Sequence, residues 1–130
     1  MSTANRTFVI VAALDLTKIC HGHAKAAGWW DSKDFATSKE NPLHFSNKLM
    51  LIVSEIAEAM EGDRKSLMDD KLPHRPMREV ELADAVIRIF DLAGGYGLDV
   101  AGAIADKLDY NATRADHKPE NRAAVGGKAY

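Results

Sequence analysis

One cysteine, Cys20, stands in 130 residues. A single thiol excludes an intramolecular disulfide framework and a multi-cysteine zinc site, and a buried structural thiol in a reducing compartment is its simplest assignment. No charge of one sign dominates: 17 basic against 19 acidic side chains leave a formal net charge of −2. There is thus no global positive field to gather polymeric nucleic acid, and a phosphate ligand must be met locally. Long hydrophobic runs are missing as well. The stretch from Phe8 to Leu14 follows Arg6 in the manner of a signal peptide, but Asp15 and Lys18 interrupt it. No small-residue cleavage site follows, and the run is far too short to span a bilayer. A cytoplasmic protein with no membrane partner is expected. Sustained period-two alternation and internal repeats are also lacking, which leaves no basis for a sheet or a solenoid.

What is present is helical periodicity. With 46% hydrophobic residues, the chain can bury one core but hardly two, so an all-α domain over residues 1–118 is expected, a four- to five-helix bundle with a polar tail at 119–130. Val9, Ala13, Leu16 and Cys20 recur at helical spacing, and Gly28 is placed to stop a first helix over 7–27. An aperiodic loop then carries Trp29 and Trp30. Asn41 and Pro42 signal the start of a second helix that Gly62 ends, with Phe45, Leu49, Ile52, Ile56 and Met60 as its apolar stripe. The connection over 62–77 holds two prolines and His74 and is long for plain linkage. A third helix over 78–93 turns Leu82, Ala83, Val86, Ile87 and Phe90 to the core and ends at Gly94 and Gly95. A fourth, over 99–114, buries Val100, Ala101, Ile104 and Leu108. Helices apolar on more than one side imply burial against a copy of the same chain, as a homodimer or tetramer.

The residues that can carry chemistry are acidic. Glu55 and Glu58 lie three apart on the second helix, away from its apolar stripe, and Glu81 and Asp84 repeat the spacing on the third. If the two helices run antiparallel, four carboxylates converge. Such an oxygen-only donor set suits a hard divalent cation, Mg²⁺ with Mn²⁺ as an alternative, which keeps several waters and takes its remaining ligands from substrate phosphate. The competing reading makes these acids a solvated helix surface. Arg88, four residues after Asp84, then forms an ordinary ion pair worth about 0.3 to 0.5 kcal/mol, whereas at a metal site it braces a ligand. Leu51, one turn before Glu55, argues that the acidic face is partly covered. On the fourth helix Lys107, Asn111 and Arg114 emerge from one side and can grip phosphate oxygens and a sugar hydroxyl, although charges on a helix face more often meet only water. His21 and His23, two apart, diverge on a helix and do not share a metal. A di-iron carboxylate bundle requires Glu-x-x-His, which no Glu here begins.

The stretch from Lys48 to Lys118 resembles the MazG-like nucleotide pyrophosphohydrolases of the all-α NTP pyrophosphatase superfamily. The similarity rests on SEIAE at positions 54 to 58, ELAD at 81 to 84, and KLDYNATR from Lys107. Ser54 stands where the family has the first Glu of a doublet. The resemblance implies hydrolysis of a nucleoside triphosphate between its α- and β-phosphates, giving the monophosphate and pyrophosphate, in a dimer or tetramer. It implies metal ligation by Glu55, Glu58, Glu81 and Asp84, with Glu55 or Glu58 accepting a proton, and substrate contacts from Lys107, Asn111 and Arg114. Lys48 and Arg88 join the expected substrate contacts. Trp29 or Trp30 either stacks on the base or caps the core. From a different class, a non-catalytic helical oligomer or nucleotide-binding module remains the alternative.

Overall fold

The computed structural model describes residues 1–128. Its regular structure consists of α1 (Thr3–Ala26), α2 (His44–Lys65), α3 (Met77–Tyr96), α4 (Val100–Thr113) and the short α5 (Pro119–Ala123), with 3₁₀ turns at Phe35–Thr37 and Ala115–His117. The chain is all-α: among the described residues no strand forms, and one antiparallel bridge, Met68 to Pro76, pinches the loop between α2 and α3. Among the described residues no helix is long and apolar enough to cross a membrane. Packing divides the chain into two compact units, Asp15–Leu98 on one hand, and Met1–Leu14 with the chain from Asp99 onward on the other.

In the Asp15–Leu98 unit the C-terminal part of α1 ends as its glycine predicts. Gly28 has φ of 80°, Trp29 N donates to the Ala24 carbonyl at 3.1 Å, and Gly28 N donates to Lys25 at 2.9 Å, which satisfies the last carbonyls of the helix. The other predicted boundaries shift. Asn41 Oδ1 accepts from Leu43 N at 2.9 Å and its carbonyl accepts from His44 N, so Asn41 closes a turn that leads into α2 instead of capping the helix directly. Gly62 does not stop α2, which continues to Lys65 and ends at Ser66 with φ of 53°. Gly94 and Gly95 do not stop α3, which runs to Tyr96 and ends at Gly97. These three glycines are points of close approach. A Cβ would lie 2.9 Å from Met77 Cβ at Gly62, 2.5 Å from His21 Cβ at Gly94, and 2.0 Å from Trp30 Cη2 at Gly95.

The predicted apolar stripes are not the face on which α2 and α3 meet. These helices pack along one another through His44, Glu55, Ala59 and Gly62 of α2 and Glu81, Ala85 and Leu92 of α3, all buried. Leu49, Ile56 and Met60 are exposed, Ile56 at 48%, while Phe45 and Ile52 are half-buried. On α3, Leu82, Val86 and Ile87 are exposed, Ala83 with them, and Phe90 alone of the expected face is buried. Small residues set the inner seam because helix axes approach most closely where side chains are short.

In the other unit α4 is capped by Asp99, whose Oδ1 accepts from Gly102 N at 2.8 Å, the arrangement that satisfies a free N–H of the first turn. Ala101 and Ala105 are its fully buried residues. Of the expected α4 core, Val100 and Ile104 are half-buried and Leu108 is exposed. Arg6 of α1 donates to Asp109 at 2.7 Å and also pairs with Asp106. The expected tail is structured in part: Asn121 Nδ2 donates to the Ala115 carbonyl at 2.6 Å, and Lys128 reaches Asp116 at 2.8 Å. Ala129 and Tyr130 lie outside the described residues.

Candidate functional site

The acid pairs on α2 and α3 face each other across the helix seam. Glu55, Glu81 and Asp84 each offer one carboxylate oxygen, and the three oxygens lie within 4.8 Å of one another. Glu55 is 7% exposed and Glu81 8%; Asp84 sits at the open edge. Two buried carboxylates this close repel, because burial removes the water that would screen them. Glu81 shows the consequence. Its pKa is raised from 4.5 to about 7, first by burial, then by the charge of Glu58, by a hydrogen bond with Glu55, and by the charges of Glu55 and Asp84. Asp84 is raised by burial and by Glu55, with Arg88 opposing.

Glu58 is exposed and stands outside the three-oxygen cluster, although it is close enough for its charge to act on Glu81. The acidic face is therefore the partly covered one. It is covered by the partner helix more than by Leu51, which is itself 45% exposed.

Arg88 does not spend itself on an i,i+4 pair with Asp84. Its Nε donates to Glu55 Oε1 at 2.6 Å, from α3 across to α2, which fixes the most buried acid of the cluster. Arg88 also lines a cleft of about 500 Å³ together with Trp29, Lys48, Leu51, Asp84 and Asp91, with Cys20 in its wall. Burial, and then the charge of Asp91, push the Cys20 thiol up, which keeps it protonated and unreactive.

The two tryptophans separate. Trp29 is 71% exposed at the mouth of this cleft, whereas Trp30 is held inside the unit. Its Nε1 donates to Asp91 Oδ1 at 2.7 Å, and its ring meets His21, His44 and Tyr96 edge-on at centroid distances of 5.1 to 6.0 Å. Lys48 Nζ lies 4.5 Å over the Trp30 ring and 3.6 Å from Asp91 Oδ2. His44, hydrogen-bonded to Tyr96 Oη at 2.8 Å, is lowered by burial and by Lys48 and Lys39 and stays neutral.

Lys107, Asn111 and Arg114 belong to the other unit, on α4 and at its end. Lys107 and Arg114 share the face of Tyr110, at 4.8 and 5.8 Å from its centroid. The Arg114 guanidinium is bound by both oxygens of Asp116, with Nε at 2.8 Å, so its fork is engaged within the chain. Asn111 Oδ1 is buried without a hydrogen-bond partner among the described residues.

Two acids escaped the sequence reading. Asp91 is buried two turns after Asp84 and accepts from Trp30 and from His21, whose Nδ1 lies 2.9 Å away. The available signal was a charge inside the apolar run Ile89, Phe90, Leu92, Ala93, since an isolated acid in a core stretch requires buried partners. Asp69, in the α2–α3 loop, is also buried. Its Oδ1 accepts from Lys71 N at 3.0 Å and Leu72 N at 2.6 Å, and its charge contributes to the rise of Asp84. His21 and His23 share no metal site among the described residues. Compared with known protein families, curated proteins and solved structures, the chain matches none.

Proposed function

We propose that this chain is a Mg²⁺-dependent nucleoside triphosphate pyrophosphohydrolase, cleaving between the α- and β-phosphates to release pyrophosphate. The observation that carries the reading is the triad of buried Glu55 and Glu81 with exposed Asp84, three oxygen donors close enough to share one cation. The donor set fits the group: carboxylates alone suit Mg²⁺ and Mn²⁺, and a carboxyl pushed up to about 7 by burial and by neighbouring acids is one that a divalent cation would relieve. When bound, Mg²⁺ supplies neutralisation of phosphate charge and acidification of water.

The chain's own residues supply the rest. Arg88 holds Glu55 in place through Nε and lines the cleft, where its remaining donors would pair with phosphate oxygens. Lys48 adds a second cation on the same wall. Glu58, exposed and outside the triad, accepts the proton released from the attacking water. Trp29 at the mouth offers a stacking plane to a base, a contact tolerant of base identity.

The chain is further proposed to work as a homo-oligomer, because the outer faces of α2 and α3 expose Leu49, Ile56, Met60, Leu82, Val86 and Ile87, apolar side chains of the kind that association covers. The test is pyrophosphate release from a panel of ribo- and deoxynucleoside triphosphates, with and without Mg²⁺, beside Glu58→Gln and Glu81→Gln. Mg²⁺-dependent release of pyrophosphate, lost in both variants, is expected. Release of orthophosphate overturns the α–β cleavage in favour of a terminal phosphohydrolase, and silence across the panel overturns the reading in favour of a nucleotide-binding module.

A further inference from the structure

A buried acid that ligates nothing in the carboxylate triad is set into the same cleft. Asp91 lies two turns along α3 from Asp84 and ties three other segments of its unit: α1 through His21, the following loop through Trp30, and α2 through Lys48. The glycines beside it make this possible. Without side chains at Gly94 and Gly95, the His21 and Trp30 rings close onto α3, and both donors reach Oδ1.

Oδ1 is thereby saturated, and Oδ2 is left to Lys48 at 3.6 Å. Lys48 is held from two directions. The Trp30 ring underlies its ammonium at 4.5 Å, a cation–π contact, and Asp91 faces it from the floor of the cleft. The side chain is 19% exposed, so a residue that ordinarily waves a charge on a flexible stem is folded down beside Arg88 and Asp84.

We propose that Asp91 is a positioning residue for polyphosphate binding: it fixes Lys48 so that the ammonium group meets the pyrophosphate portion of the substrate in the cleft. This rests on the reading of the cleft as a polyphosphate site. The physical reason is preorganisation. A cation already fixed where a phosphate oxygen will arrive loses little freedom on binding and needs no rearrangement of its surroundings.

The sign of one substitution separates this from a mere charge nearby. Asp91→Asn keeps an acceptor for Trp30 and His21 and removes one negative charge from the cleft. A simple field effect then tightens binding of an anion, whereas loss of positioning weakens it.

The experiment is calorimetric titration with inorganic pyrophosphate, the expected product, in Mg²⁺. It compares the full chain with Asp91→Asn, Lys48→Met and the double variant, each checked by circular dichroism. Expected is about a tenfold loss of affinity for either single variant, the size of one charged contact, and no further loss in the double variant. Tighter binding by Asp91→Asn, unchanged binding by Lys48→Met, additive losses, or no pyrophosphate binding by the unmodified chain would each overturn the proposal. If the amide variant does not fold, Asp91→Glu keeps the charge and displaces it by one methylene. Weakened binding then supports positioning, and unchanged binding refutes it. Pyrophosphate binding with the expected pattern, but without Mg²⁺-dependent hydrolysis of nucleotides, would sink the proposed activity and leave the role of Asp91 standing; hydrolysis with tighter binding by Asp91→Asn would do the reverse.

Discussion

The inner and outer faces of α2 are made of opposite materials. Toward α3 it presents Glu55, Ala59 and Gly62, all buried; toward the outside it presents Leu49, Ile56 and Met60, all exposed. α3 repeats the contrast, with Glu81 and Ala85 inward and Leu82, Val86 and Ile87 outward. Burial of apolar area stabilises a fold by roughly 25 cal/mol per Å², so a seam of small residues and acids contributes little by itself. What the seam achieves is proximity: short side chains let two helices approach closely enough for carboxylates on each to share a space of a few ångströms. The difference teaches that the inner face gathers acids at some expense of stability, a trade that the proposed metal site would explain.

The largest effect expected from breaking this contrast is at Glu81. Glu81→Gln removes a proposed ligand and, on the proposed activity, should lower pyrophosphate release by at least about a hundredfold, roughly 2.7 kcal/mol in transition-state terms. The same change removes a repelled charge from the inner face, so without metal the variant should be more stable than the parent at pH 8, by about 1 to 3 kcal/mol. Activity assays beside urea melts test both halves, and a variant that loses stability at pH 8 contradicts the account of a strained seam.

Gly95→Ala is next. With its Cβ placed 2.0 Å from the Trp30 ring, the ring must move, and overpacking of this kind costs about 1 to 3 kcal/mol. Thermal melts should show the loss, with a change in tryptophan fluorescence as Trp30 leaves Asp91.

A pH series sharpens the comparison further. The Glu81 carboxyl titrates at about 7 in the folded chain against an ordinary 4.5. The folded state therefore holds its proton longer than the unfolded state, and its stabilising contribution is full below 4.5 and is lost as pH rises through about 7. At the proposed site Mg²⁺ would replace that proton. The rise in Tm on adding saturating Mg²⁺ should accordingly be larger at pH 8 than at pH 5.5, reflecting a stabilisation that approaches about 2.7 kcal/mol at a hundredfold excess over Kd. An equal rise at both values contradicts cation binding at the triad.

The smallest expected effect lies on the outer face. Ile56→Gln with Val86→Gln should alter the stability of the isolated chain by less than about 0.5 kcal/mol, because both side chains are already exposed. Sedimentation velocity should instead register a fall in mass, as the surface proposed to bury itself against another copy becomes polar.

Helical periodicity determined by itself that the chain is all-α, that α1 to α4 occupy their observed stretches within a few residues, and that the acids come in pairs three apart, because spacing along a helix is a local property; the short α5 falls in the stretch whose composition reads as a polar tail. The Glu55, Glu81 and Asp84 grouping was legible for the same reason, once α2 and α3 were paired. Tertiary structure alone decided which face turned inward. An apolar stripe of Ile56 and Met60 and a stripe of Ala59 and Gly62 are both periodic, and periodicity does not say which meets a partner within the chain. Gly62, Gly94 and Gly95 carried the same ambiguity: a missing Cβ serves equally to end a helix or to admit a neighbour, and only the positions of Met77, His21 and Trp30 choose between the two. Asp91 was hidden for a related reason, since its partners lie 43 to 70 residues away in sequence, and a buried charge is defined by neighbours that only the folded chain assembles.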